Sequence, residues 1–126
     1  MPTDVLQYNR FAFKNLSYDL FKDLEPITVL FYLTQALVVS SSLNVNSLDE
    51  LAAYAKAHPK TLSYTAAAVP HQLFIENFKQ ETGADIVRVP FRGGGDAVNG
   101  MLTGATQVAF FGIGNFSSHL QAGTIK

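Results

Sequence analysis

Three stretches of this sequence place small residues where an apolar run gives way to a helical pattern: TAAAVPHQ (65–72), PFRGGGDA (90–97) and FGIGNFSS (111–118). Their side chains carry little reactive chemistry. What they offer is backbone. A helix start holds unpaired N–H groups and a partial positive charge, which together attract carboxylates and phosphates. Small residues let such an anion come close, and the run Gly93, Gly94 and Gly95 admits a turn with positive φ. Pro70 suits a first-turn position, where its missing N–H is not needed. Asn115, after Gly112 and Gly114, is a good N-cap. His71 lies at a helix start beside the same loops. The plainer account stands next to this one: small residues at strand-to-helix turns are ordinary packing, and Asp96 is then charge compensation for a helix N-terminus.

No other chemistry is visible. A dinucleotide fingerprint counted from Gly93 needs glycine at 98, where Val98 stands, and no Gly-Lys-Ser/Thr phosphate loop occurs. His58, His71 and His119 are too widely spread for a metal-ligand spacing. His58 falls at a helix C-terminus, where a cation is favoured, and His119 on a solvated face. There is no G-x-S-x-G elbow, no carboxylate pair at the loops and no cysteine. Catalytic residues, metal ligands and cofactors are all expected to be absent.

The elements that must position these loops read as an alternation. After a polar-aromatic lead-in (1–26), ITVLFYL (27–33) and ALVVSSS (36–42) have strand composition. NSLDELAAYAKAH (46–58) is helical, with Ser47 and Glu50 at capping-box spacing and Pro59 as its stop. TLSYTAA (61–67) is a strand. HQLFIENFKQET (71–82) is a helix with Leu73, Phe74, Ile75 and Phe78 on its buried side, ended by Gly83. ADIVRVPF (84–91) and TQVAFFGI (106–113) are strands whose nearly continuous apolar runs suit burial on both faces. GDAVNGMLTG (95–104) and NFSSHLQAG (115–123) are the last helices. The alternation predicts an α/β three-layer sandwich with a mostly parallel sheet. In such a sheet all strand-to-helix loops gather at the carboxyl ends of the strands, where ligands bind.

Composition narrows the function further. The 126 residues are 48% hydrophobic and 15% charged, with a net charge of −1. The chain is the size of one domain, and it has no cluster of Lys and Arg. Nucleic acid is not an expected partner. The longest apolar stretches fall short of the roughly 20 residues a spanning helix needs. The opening MPTDVLQYNRF shows no basic region followed by an apolar one, as a secretion signal would.

Taken in order, YDLFKDLEPITVL, ALVVSSSLNVNSLDELAAYAKAHPKTLSY, VRVPFRGGGDAVNGMLTGATQVAFF and SSHLQAGTIK resemble the Bug-type extracytoplasmic solute receptors, the periplasmic binding components of tripartite tricarboxylate transporters. The resemblance covers nearly the whole chain, from about residue 9. It implies one lobe of a type II periplasmic-binding-protein-like, Venus-flytrap fold. Residues 1–26 would be a lead-in or crossover segment, and 27–126 the ligand-binding lobe, the second of two domains. The first domain, whose loop completes the ligand site, is not part of that assignment. The resemblance also implies a periplasmic location, a small organic acid as ligand, membrane transporter subunits as partners and no catalysis.

Carried over residue by residue, His71 matches a histidine that ends a Gly/Ser-rich segment. Phe91 stands for a tyrosine, Arg92 for a lysine, and Gly93 is retained. The departures are Ala66, Ala67, Ala68 and Val69 in place of hydroxyls and glycines, Gly112 where many members carry aspartate, and the added charge of Asp96. The candidate ligand-binding residues are therefore Ala66, Ala67, Ala68, Val69, His71, Phe91, Gly93, Gly94, Gly95, Asp96 and Gly112. Two other functions compete with a carboxylate-binding lobe: a nucleotide- or phosphate-binding α/β enzyme domain that uses the glycine loop, and a structural lobe that self-associates.

Overall fold

Apolar side chains that alternate along the strands place hydrophobic cores on both faces of a single sheet. The computed structural model describes residues 3–66, 68–91 and 93–126. The elements run α1 (Thr3–Ala12), β1 (Gln35–Val39), α2 (Leu48–Ala57), β2 (Leu62–Thr65), α3 (Val69–Thr82), β3 (Ile86–Arg88), α4 (Gly94–Leu102), β4 (Val108–Gly112), a 3-10 turn (Ile113–Asn115) and α5 (Ser117–Gln121). Strand order is β1-β4-β2-β3. β2 is parallel to both β3 and β4, whereas β1 runs antiparallel to β4 with Gln35 opposite Gly112. The sheet is thus mostly parallel, as the alternation of patterns predicts.

Period-2 alternation sorts the strand residues between the two cores. Val39, Leu62, Tyr64, Ala66, Ile86 and Val108 point to one face, where Leu51 and Ala55 of α2 and Ile75 of α3 cover them. Val38, Ala109 and Phe111 point to the other, beneath Ala97, Val98 and Met101 of α4 together with Phe116 and Ile125. Two helical layers over one sheet make the expected three-layer sandwich.

Local signals placed several boundaries. The Ser47 hydroxyl accepts the Glu50 N–H at 3.1 Å and caps α2, while the Glu50 carboxylate reaches back to the N–H of Asn46 at 2.6 Å. Removing that cap with Ser47→Ala is expected to cost about 1 kcal/mol in urea unfolding. Gly83 ends α3 at φ +70°, and the N–H of His58 bonds the Tyr54 carbonyl at the end of α2.

Other expectations are corrected. ITVLFYL (27–33) is solvent-exposed and belongs to no strand, and the sheet begins only at Gln35. Strand composition describes side chains suited to a sheet; it does not supply the neighbouring strand that makes one. The lead-in contains a helix, α1, that packs against α3. β3 is a three-residue edge strand with Val87 44% exposed, so its apolar run is not covered on both faces. In α3 Ile75 is buried and Phe78 half-buried, but Leu73 and Phe74 turn outward. His119 is half-buried. Among the described residues, no helix is long and apolar enough to cross a membrane.

Candidate functional site

The parallel strands β2, β3 and β4 all end at one edge of the sheet, and the three candidate loops leave from there. β2 feeds α3 on one face, while its neighbour β4 leads to the turn and Phe116 on the other face. Adjacent strands whose connections depart to opposite faces leave a crevice between them, the switch point at which α/β sheets bind ligands.

Side chains join the loops across this crevice. His71, in the first turn of α3, has its Nε2 3.0 Å from Gln35 Oε1, and Gln35 lies opposite Gly112 in the sheet register. The His71 ring rests against Phe110 and Phe111 of β4. Beyond Gly112, the Asn115 Nδ2 donates to the Gly112 carbonyl at 3.0 Å. Asn115 in turn abuts the glycine loop: a Cβ built on Gly94 would lie 2.8 Å from Asn115 Oδ1. His71, Gln35, Gly112, Asn115 and Gly94 therefore form one continuous seam through the first, third and second loops.

The helix starts at this edge differ from the one at the opposite edge. α2, which follows the far end of β1, is capped by Ser47. α3 starts from Ala68 and α4 from Gly93, and neither receives a side-chain cap hydrogen bond. Their first-turn N–H groups remain available to an external acceptor. Positive charge from the helix ends adds to this, with Asp96 exposed in the first turn of α4 as a local counterweight.

Most candidate residues fall at this edge. Ala66 is buried at the end of β2, Ala68 and Val69 open α3, and Gly93, Gly94, Gly95 and Asp96 open α4. Ala67 and Arg92 lie outside the described residues. Phe91 turns its ring onto Gly100 of α4, where an added Cβ would sit 2.5 Å from the ring tip. The expected positive-φ glycine turn is not found. Gly93 has φ −177°, ordinary extended backbone, and positive φ occurs at Gly83, Gly104 and Gly123 instead, with Lys60 among non-glycines. Of the three loop glycines, only Gly94 leaves little room for a Cβ; Gly93 and Gly95 border open space. Nor does Asn115 act as an N-cap. It belongs to the 3-10 turn and bonds backward to Gly112.

A groove of about 680 Å³ continues from the seam between α1 and α3, lined among others by Tyr8, Gln35, His71, Phe74, Glu76 and Phe110. Phe74 stacks on Phe110 with ring centres 4.1 Å apart. Glu76 accepts the Tyr64 hydroxyl and pairs with Lys79 at 3.1 Å. Burial opposes ionisation of Glu76, but these two partners outweigh it and hold the carboxyl below its ordinary range. Tyr64 is pushed well above its ordinary value, chiefly by burial and then by Glu76. Sequence reasoning missed Gln35 and the Tyr64–Glu76 pair, and it named Asn115 only as a helix cap. Gln35 left a trace, as a polar residue between the apolar runs 27–33 and 36–39.

The family model described as tripartite tricarboxylate transporter family receptor (TctC) matches residues 1–126. Protein BugT of Bordetella pertussis is 29% identical over 114 residues, which are 89% of this chain and 35% of that protein. A solved structure described as a periplasmic transporter superposes with a TM-score of 0.79 at 29% identity, over 90% of this chain and 38% of that one. Rpa4515 of R. palustris, solved with adipate, gives a TM-score of 0.79 at 28% identity, over 90% and 39%. The chain thus spans a little over a third of the length of the relatives it matches.

Proposed function

The chain belongs to the tripartite tricarboxylate transporter receptor family, a family of receptors and not of enzymes, and from that premise we propose that it is the solute-binding lobe of a receptor for a small organic carboxylate. Residues 27–126 form the lobe and 1–26 lead into it. The carboxylate is held by backbone N–H groups at the starts of α3 and α4, within the seam formed by His71, Gln35, Gly112, Asn115 and Gly94. One observation carries this reading: the two helices that start at the crevice lack side-chain caps, whereas the helix that starts at the far edge has one. The adipate-bound relative supports a dicarboxylate as the ligand class. In the whole receptor this lobe works in the periplasm, closes on its ligand with a second lobe and delivers it to membrane transporter subunits.

Titration of the isotopically labelled chain with adipate, followed through its amide resonances, tests the assignment. Saturable shifts are expected at Ala68, Val69, His71 and Gln72, at Gly93–Ala97 and at Gly112–Asn115, with millimolar affinity because a single lobe supplies the contacts. Absence of localised shifts, against an equal ionic strength of chloride, would contradict the carboxylate reading. Shifts at the glycine loop with ATP but not adipate would favour a nucleotide domain instead.

A further inference from the structure

The second loop carries three glycines in succession, residues with more backbone freedom to lose on ordering than any other. Pro90 is exposed, and a Cβ on Gly93 or Gly95 would meet nothing within 4 Å. Among the described residues of this loop, Phe91 is the one whose side chain packs back onto the lobe. Its half-buried ring lies on Gly100, a buried residue in the second turn of α4. A Cβ on Gly100 would sit 2.5 Å from the ring Cζ, 3.0 Å from Cε1 and 3.1 Å from Cε2. The near-equal Cε distances put the tip of the ring, rather than one side of it, on the glycine. Glycine inside a helix weakens it relative to alanine. At position 100 that weakness comes with a seat that only a residue without a Cβ can offer.

We propose that Phe91 is a positioning residue: its ring, seated on Gly100, holds the glycine loop so that the first-turn N–H groups of α4 face the crevice before a ligand arrives. The seat ties the residue that enters the loop to the helix that leaves it. Further along, the Ala97 N–H donates to the Gly93 carbonyl at 3.0 Å, and on the strand side the Val89 N–H donates to the Tyr64 carbonyl at 2.8 Å. The glycines between these fixed points are ordered in advance, so their ordering does not weigh against binding. Phe91 acts on the ligand through this backbone and not by touching it. The inference deepens the carboxylate reading and rests on it for the ligand, whereas the seat itself is tested without one.

Two ligand-free measurements on the isotopically labelled chain test the seat. The ring current of Phe91 displaces the Gly100 α-proton resonances, and Phe91→Leu should return them toward ordinary glycine values. Hydrogen exchange at the Ala97 amide should quicken about tenfold in Phe91→Ala, while the amide of Ile75, buried in α3, exchanges as in the parent. Adipate titration then reads the function. Phe91→Ala and Gly100→Ala should each weaken binding about tenfold, equivalent to ordering roughly one more residue on binding, although alanine is the better helix former at 100. Combining Phe91→Leu with Gly100→Ala, where the shorter side chain leaves room for the new Cβ, should recover most of the lost affinity. A general loss of stability would not reverse in this way. The proposal is overturned by unchanged Gly100 resonances in Phe91→Leu, by parent-like exchange at Ala97 in Phe91→Ala, by single variants that bind adipate as the parent does, or by a double variant that binds no better than Gly100→Ala. If the parent itself shows no saturable adipate shifts, the carboxylate reading fails, and the Gly100 resonances and Ala97 exchange still decide the seat.

Discussion

Phe116→Ala is expected to lower the unfolding free energy by about 3–5 kcal/mol, the range for truncating a fully buried aromatic side chain. Phe116 is 0% exposed, at the junction between the 3-10 turn and α5. Its ring meets Phe111 edge-on with centres 6.2 Å apart and belongs to the same core as Val38, Ala97, Val98 and Met101. One ring therefore ties β1, β4 and α4 to the segment carrying the third loop. An edge-to-face pair adds about 0.5–1.5 kcal/mol to the burial term. Set against a domain stability of about 5–15 kcal/mol, the loss is large enough to move the urea midpoint far from the parent's. Urea titration followed by circular dichroism measures it, and a loss under about 1 kcal/mol would show that the ring is not a core member. Should the alanine variant prove too unstable to purify, Phe116→Leu retains much of the apolar volume and should show a smaller loss in the same direction.

How far the molecule was readable from its sequence depended on how local each determinant is. Ser47 and Glu50 sit within one helical turn, Pro70 acts through its own ring, and Gly83 through its own φ, so these boundaries were legible. β4 was legible as a covered strand because its central position buries Val108, Ala109 and Phe111 on the two faces. The similar run in β3 was misread, since a side-chain pattern does not reveal that a strand will lie at the sheet edge. The same gap explains residues 27–33, whose composition suits a strand that no neighbouring strand completes. α1 escaped notice although TDVLQYNRFA has helical periodicity, because its many polar residues make it read as a lead-in; it packs on α3.

The candidate site divides in the same way. Helix starts and small residues named its three loops, but the contacts that join them are long-range. His71 meets Gln35 across 36 positions of sequence, and Asn115 reaches the glycine loop from the far side of β4. Reading the three glycines as a positive-φ turn invoked the right residue type for the wrong reason. Chain direction is reversed here with extended backbone at Gly93, and what glycine supplies at 94 is room for a neighbouring loop.

That last point gives the sharpest test of the seam. Gly94→Val is expected to abolish saturable adipate binding while leaving the fold intact. The new Cβ would sit 2.8 Å from Asn115 Oδ1 and 3.2 Å from its Cγ, closer than side chains tolerate. Asn115 is exposed, so it can rotate away, and doing so breaks its bond to the Gly112 carbonyl. The cost to stability is about that of one exposed hydrogen bond, about 1 kcal/mol. The cost to the site is greater, because the second and third loops no longer meet and the first-turn N–H groups of α4 lose their alignment with those of α3. Gly95→Ala is the matched control. A Cβ there meets nothing within 4 Å and the residue is already helical, so stability should rise by about 0.5–1 kcal/mol and adipate binding persist. Amide-resonance titrations of both variants read the outcome directly. If Gly94→Val binds adipate as the parent does, the loops act independently and the carboxylate is not held at their junction.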